Sequence, residues 1–416
     1  MFFLFNMDRL QLAAKVAQKA HTHNHFLLDM FPRTGKSAVS LEILKIWLQH
    51  KDFKILILTN STTTNAQWWK NIKEHNPHLE DKFDILCYQS LHKIKDIYGA
   101  ILLDEADLAF TDNRLEHLSA LKPTHWIGMS GTWTFEAKNY FRGLTDNKHT
   151  TSIVTLEEAV KMGILPQPKI YKVEIDLDDS RRYLTVEMKG KGKGTDITTY
   201  PARWGSYKSF AKIILQCSEV EANEFHNQTV KRYSEWYEDL LLPPGERRLN
   251  LKLSPVVCRI SYLRKALDRK NFFSHVKTRY FKHLHAQIIK NKPDSRMLVF
   301  CGAIAQAEFL NEEMAIHSKK PDTFETIEAF NNKEINTLMA VKILDRGVDL
   351  EEVDYAIIIQ GDNSQGSVIQ RAARSLLSVS PKIIIMCLKN THDEKYVDKF
   401  LSNFPPDWVT TKQLKI

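Results

Sequence analysis

The sequence predicts an α/β protein: two parallel-sheet lobes with a mostly helical, basic insertion. Three observations carry this. Two separate regions alternate short β-branched runs with longer helical patterns, the signature of a parallel sheet wrapped by helices. From about residue 180 to 275 that rhythm lapses. Charge is also uneven: residues 181–290 hold 22 Lys/Arg against 10 Asp/Glu, in a chain of net charge +8, so the remainder is net negative.

The first region runs from Phe26 to about residue 150. Its strand candidates are HFLLDM, FKILILTN, FDILCY, GAILLDEA and HWIGMSG, with helical patterns over Ser37–His50 and Ala66–His75. The second begins near Ser295 and supplies RMLVFCG, INTLMAVKIL, VDYAIIIQ and KIIIMCL; Pro168–Leu177 reads as a further strand of that sheet. The expected organisation is a first lobe over 1–150, a passage and first strand of the second lobe over 151–179, the insertion over 180–275, and the second lobe over 276–416. The insertion contains a Gly/Lys loop, Met188–Asp196. Its basic surplus fits a polyanion partner or a solvated, Lys-rich helical face.

At 43% hydrophobic and 26% charged residues, the composition is that of an ordinary globular chain. No apolar run reaches the length of a membrane span. The opening MFFLFNMDR is short for a signal peptide and lacks a basic start. The five cysteines form no CxxC pair and read as thiols in a reducing, cytoplasmic compartment. His21, His23 and His25 alternate, and read as a loop leading into the first strand rather than as metal ligands.

Chemistry enters at Phe31–Ser37. HFLLDM is a buried-strand run and SAVSLEILKIWLQ an apolar-periodic helix; the loop between them ends in Gly35-Lys36-Ser37. Strand, loop and helix in that order aim the amides of Arg33, Thr34, Gly35, Lys36 and Ser37 at phosphate oxygens. Lys36 can reach β- and γ-phosphates and Ser37 can bind Mg²⁺. Met30 stands where a phosphate loop usually has its first glycine. Asp104-Glu105-Ala106-Asp107 follows the apolar run AILL. An acidic pair at the carboxyl end of a buried strand is where a metal and a water-activating base belong, Asp104 for the ion and Glu105 for the water.

FPRTGKS, LLDEADLAF, MSGTW and QRAARSLL resemble motifs I, II, III and VI of superfamily 2 helicases and translocases, in the style of compact phage-type and type III restriction-like members that include branch-migrating helicases. Further stretches resemble motif Ia (Thr59–Ile72), motif Ib (Cys87–Lys93), motif IV (MLVFCGAIAQAEFL) and motif V (AVKILDRGVDL). The likeness runs through the chain except for about 180–275. It implies two RecA-like lobes, ATP and Mg²⁺ as cofactors, and a nucleic-acid partner, with DNA favoured, single-stranded or branched. A replication, recombination or transcription assembly is a further implied partner.

Residue by residue, the resemblance assigns Lys36, Asp104, Glu105, Arg371 and Arg374 to catalysis, the last two as arginine fingers, with Gln370 beside them. Asp349 would sense the ribose or the site water, and Gln11 would read the adenine. Asp107, Ser130 and Thr132 would couple hydrolysis to movement. Thr59, Asn60, Ser61, Gln89, Ser90, Gly302 and Lys342 would contact the strand backbone, carrying little sequence information. Of Trp68 and Trp69, at least one is expected in the core. Three departures stand out: Ala373 replaces a frequent glycine, Leu377 a common arginine, and Arg346 a frequent acid. Motif III is Ser-Gly-Thr, and motif VI lacks the His-Arg-x-Gly-Arg pattern of DEAD-box RNA helicases. Alternatives are an RNA helicase, a nucleic-acid-binding transcription or assembly factor that keeps the ATPase fold as scaffold, and a motor subunit of a restriction complex.

Overall fold

The computed structural model describes residues 2–179, 184–189, 212–243, 245–249, 251, 254–341, 350, 352–360, 373, 376 and 378–415, with side chains from residue 9 onward except in 184–189 and 212–217. The chain divides into two compact units, one built on Met1–Pro168, the other on Lys169–Ile343, Tyr355–Asn363 and Lys382–Ile416.

In chain order the first unit comprises α1 (Phe2–Ala17), β1 (His25–Met30), α2 (Lys36–His50), β2 (Ile55–Thr59), α3 (Thr62–His75), β3 (Phe83–Cys87), β4 (Ala100–Asp104), α4 (Asp112–Ala120), β5 (His125–Ser130), α5 (Phe135–Leu144), β6 (Thr150–Val154) and α6 (Leu156–Lys161). Its strands form one sheet in the order β3-β2-β4-β5-β1-β6. Every pairing is parallel. Strands β2, β4 and β5 are buried along their whole length, as continuous apolar runs covered on both faces should be. Helix starts follow local chemistry. Ser61 caps α3 by accepting from Thr64 N–H at 3.2 Å, and Thr155 with Glu158 forms a capping box on α6.

The second unit comprises β7 (Lys169–Ile175), β8 (Leu184–Lys189), β9 (Lys212–Cys217), α7 (Glu219–Leu241), α8 (Pro255–Asn291), β10 (Met297–Phe300), α9 (Ile304–Asn311), β11 (Ala315–Ile316), α10 (Thr323–Asn331), β12 (Thr337–Ala340), β13 (Tyr355–Ile358), β14 (Lys382–Leu388), α11 (His392–Leu401) and β15 (Val409–Gln413). The main sheet runs β11-β12-β10-β13-β14-β7-β15. All its pairings are parallel. Two parallel sheets wrapped by helices are the fold class expected from the sequence. The sequence reading did not identify β6, β11 and β15.

The insertion departs from expectation in two ways. Its described part is helical, but β8 and β9 form an antiparallel pair of their own. The boundary expected at 275/276 also falls inside α8, a single helix of 37 residues. The C-terminal half of α8 is core: Phe272, Phe273, Val276 and Phe281 are buried against β10, β13 and β14 residues. A helix started by Ser254 and Pro255 meets no breaker before its far end, so one element serves both the insertion and the sheet. At the root of this arm Arg279 bridges Glu219 at 3.1 Å and Asp178 at 3.7 Å, tying α8 to the start of α7 and the end of β7. Burial pushes the Glu219 carboxyl up to about 7.

Candidate active site

In a parallel sheet all carboxyl ends lie on one edge. In the order β4-β5-β1, the ends of β4 and β1 flank the end of β5. The register pairs Asp104 with Met129 and Asp29 with Ser130. Three separate sequence stretches thereby meet: the Gly35-Lys36-Ser37 loop, the Asp104–Asp107 acids and Ser130-Gly131-Thr132.

The loop after β1 closes tightly. Thr34 is buried, and its Oγ1 donates to Phe31 O at 2.7 Å. Gly35 precedes α2 at φ +96°, a left-handed conformation that favours glycine, and as the N-cap residue it offers no side chain to cap the first amides of α2. Met30, in place of the usual first glycine, is the last, fully buried residue of β1, so it lies outside the tight part of the loop. Among the described residues the Lys36 ammonium has one hydrogen-bond contact, a long one, Nζ to Met30 O at 3.5 Å.

Asp104 is buried at the end of β4. Its Oδ2 accepts from the Trp68 indole N–H at 2.8 Å, and its carbonyl accepts from Tyr88 O–H at 2.8 Å. Burial, and then the neighbouring Glu105 carboxylate, push the Asp104 carboxyl above its usual range, while the Trp68 hydrogen bond and the Lys36 charge pull the other way. Glu105 adopts φ +49°, a strained left-handed conformation. Ser130 Oγ donates to Asp107 Oδ1 at 2.7 Å and lies 3.5 Å from Glu105 Oε2. Thr132 N–H donates to Ser130 Oγ at 3.0 Å, and Thr132 Oγ1 reaches Asp107 Oδ2 at 3.4 Å. Asp104, Ser37 and the α2 amides fit a divalent ion with a polyphosphate. A buried carboxylate whose charge is poorly compensated is stabilised by such an ion, and a helix N-terminus with a loosely held lysine by such an anion.

The other residues expected at the site divide. Gln11 is exposed on α1, which packs through Leu12, Ala13, Val16 and Ala17. Asn60, Ser61 and Ser90 are half-buried and Gln89 is exposed. Two more have polar atoms engaged within the protein. Thr59, at the end of an interior strand, is fully buried and its hydroxyl bonds Ser61 O at 3.1 Å and Asn65 Oδ1, which shapes the loop. Gly302 donates its amide to Gln306 Oε1 at 2.8 Å, and a Cβ there would lie 2.6 Å from Ser274 Oγ. It is a close-packing glycine whose N–H is already used. Lys342, Asp349, Gln370, Arg371 and Arg374, with Arg346 and Leu377, lie outside the described residues. Trp68 and Tyr88 were missed as site residues. The paired tryptophans were the only sequence signal, and they read as core; Trp68 is indeed 2% exposed.

Residues 279–376 match the family described as "Helicase conserved C-terminal domain". Solved structures with similar folds include the Pyrococcus furiosus Hef helicase domain, at 13% identity and TM-score 0.54 over 93% of this chain and 97% of that one. A fragment of a putative HsdR subunit of a type I restriction enzyme from Vibrio vulnificus YJ016 matches at 14% and 0.54, covering 97% and 67%. S. cerevisiae Dbp5 bound to RNA and ADP BeF3 matches at 11% and 0.54, covering 97% and 89%. The chain shares the two-sheet α/β fold of these structures, and its residues 279–376 match a helicase C-terminal family. No curated protein matches the sequence. Within this fold the cluster just described occupies the carboxyl edge of the first sheet, and the matched segment begins inside α8. Among the described residues no helix is long and apolar enough to cross a membrane.

Proposed function

We propose that the chain is a nucleic-acid-stimulated ATPase working as a DNA helicase or translocase on single-stranded or branched DNA. The observation that carries this is the Ser130 bridge. A single hydroxyl bonds Asp107 and sits beside Glu105, at one sheet edge with Lys36 and Asp104. An isolated phosphate loop has no need of that link; a motor that reports hydrolysis to a distant strand does. In this reading the α2 amides and Lys36 hold the phosphates, Asp104 and Ser37 hold the ion, and Glu105 orients water for in-line attack. Mg²⁺ would supply charge neutralisation at the phosphates. The resemblance assigns Arg371 and Arg374 to the same γ-phosphate. Asn60, Ser61, Gln89, Ser90 and Lys342 remain the proposed backbone contacts.

DNA is preferred over RNA because motif III is Ser-Gly-Thr and the His-Arg-x-Gly-Arg pattern is absent. The test is ATP turnover with no nucleic acid, single-stranded DNA, RNA and a four-way junction. DNA should accelerate turnover about tenfold or more, roughly 1.4 kcal/mol of barrier. Equal or greater acceleration by RNA selects the RNA-helicase reading, and DNA binding without turnover selects the scaffold reading.

Ser130→Ala separates coupling from chemistry. It removes the Asp107 bond but none of the groups proposed to touch phosphate. Basal turnover should persist while the ratio of DNA-stimulated to basal rate falls about fivefold or more, the lower range of an allosteric coupling. Paired rate measurements at saturating ATP decide it; an unchanged ratio removes Ser130 from the relay.

A further inference from the structure

The N-terminal half of α8 has one covered face. Cys258 is fully buried, with its thiol toward Tyr233 O at 3.8 Å, and the buried Arg269 donates to Asn227 Oδ1 at 3.0 Å. Both partners lie on α7, so α7 covers this side. An α-helix advances about 100° per residue, which places Val256, Ile260, Leu263 and Leu267 within roughly 60° of one another on the opposite side. They are 67%, 52%, 54% and 54% exposed. Single exposed aliphatics are ordinary, but four in helical register are not. Their alternating spacing of four and three residues is that of a coiled-coil seam, about 17 Å long. Arg259 and Arg264 are exposed and edge the stripe on its two sides. Among the described residues neither forms an ion pair.

We propose that this stripe docks an amphipathic helix of a partner protein, one whose apolar seam is bordered by Asp and Glu. Charge chooses the occupant. Arginines on both borders attract an acidic helix and set its register. The same arginines would face each other if a second copy of α8 docked there, a repulsive arrangement. A nucleic-acid strand would leave four aliphatic side chains against sugar and phosphate, with no aromatic ring in the stripe on which a base could stack. The proposal concerns a surface remote in sequence from the ATPase residues, and stands whether or not the motor reading does.

The experiment uses the full chain and a fluorescent synthetic three-heptad peptide with Leu at its seam positions and Glu at the flanking positions, against the same peptide with Lys at the flanks. Anisotropy should show binding of the Glu peptide and not of the Lys peptide. Ile260→Ser with Leu263→Ser should weaken binding at least about tenfold. Arg259→Glu with Arg264→Glu should shift preference to the Lys peptide. All four positions are exposed, so the variants should keep the parent melting temperature, which is measured alongside. The proposal is overturned by equal binding of both peptides or by no effect of the stripe variant. Loss in that variant of a concentration-dependent dimer in sedimentation, of forked-DNA binding, or of DNA-stimulated ATP turnover overturns it too, since the stripe would then serve a second copy, nucleic acid or the motor itself.

Discussion

Glu105→Gln should lower DNA-stimulated ATP turnover by about 10²–10⁴-fold while leaving ATP binding within a few-fold of the parent. The substitution keeps size and shape, so the left-handed backbone at φ +49° and the neighbouring Ser130–Asp107 bond should survive. What is lost is a carboxylate able to accept a proton from water. Lys36→Ala should fail differently. Among the described residues its ammonium is held by one long contact, to Met30 O at 3.5 Å, and contributes little to folding, but without it the phosphates lose the loop's lysine charge. Binding and turnover should therefore fall together. Phosphate release and the anisotropy of a fluorescent ATP analogue, measured on both variants, separate the two patterns. Turnover of Glu105→Gln above a tenth of the parent would remove Glu105 from the water-activating role.

The largest stability effect is expected from Asp393→Ala, a loss of about 3–5 kcal/mol. Asp393 and Lys277 are both fully buried, with Nζ and Oδ2 2.6 Å apart. The carboxylate also accepts from Leu388 N–H at 2.9 Å and from Gln360 Nε2 at 3.2 Å. Truncation to alanine strands a buried ammonium and orphans these donors. Replacing both charges, Lys277→Met with Asp393→Leu, should recover most of the loss, because the desolvation cost of the pair disappears with the pair. Urea unfolding monitored in the second unit checks this, since two units need not unfold as one. A single variant within about 1 kcal/mol of the parent would show that water reaches the pair.

This network gives α8 a mechanical meaning. Lys277 joins α8 to Gln360 just past β13 and to Asp393 in α11. One turn earlier, Ser274 joins it to Gln306, which receives Gly302 N–H. The arm formed by α7 and the first half of α8 thus continues into a helix clamped at the carboxyl edge of the second sheet.

Sequence alone was sufficient for features that are contiguous. Five apolar runs of the first region became β1 to β5: β2, β4 and β5 are interior strands buried along their length and so apolar nearly throughout, while β3, at an edge, still keeps Phe83 and Ile85 buried. The strand-loop-helix around Lys36 was legible for the same reason: its amides, glycine and lysine are neighbours in the chain. The unread strands β6, β11 and β15 lie at or next to sheet edges. There one face or one side meets solvent, and Thr150–Val154 and Val409–Gln413 keep too few apolar positions to stand out.

Tertiary structure alone decided which of these pieces meet. Sequence named Ser130, Asp107, Glu105 and Lys36 separately, but the order β4-β5-β1 puts the hydroxyl between the acids and the phosphate loop. Trp68 bonds Asp104 across 36 residues, and no local pattern encodes that distance. Thr59 O–H and Gly302 N–H meet internal acceptors for the complementary reason: a motif specifies residue types, whereas burial and the nearest hydrogen-bond partner determine how their polar atoms are used. Periodicity and motif order are properties of neighbours along the chain; hydrogen-bond partnership is a property of neighbours in space, and only packing selects those.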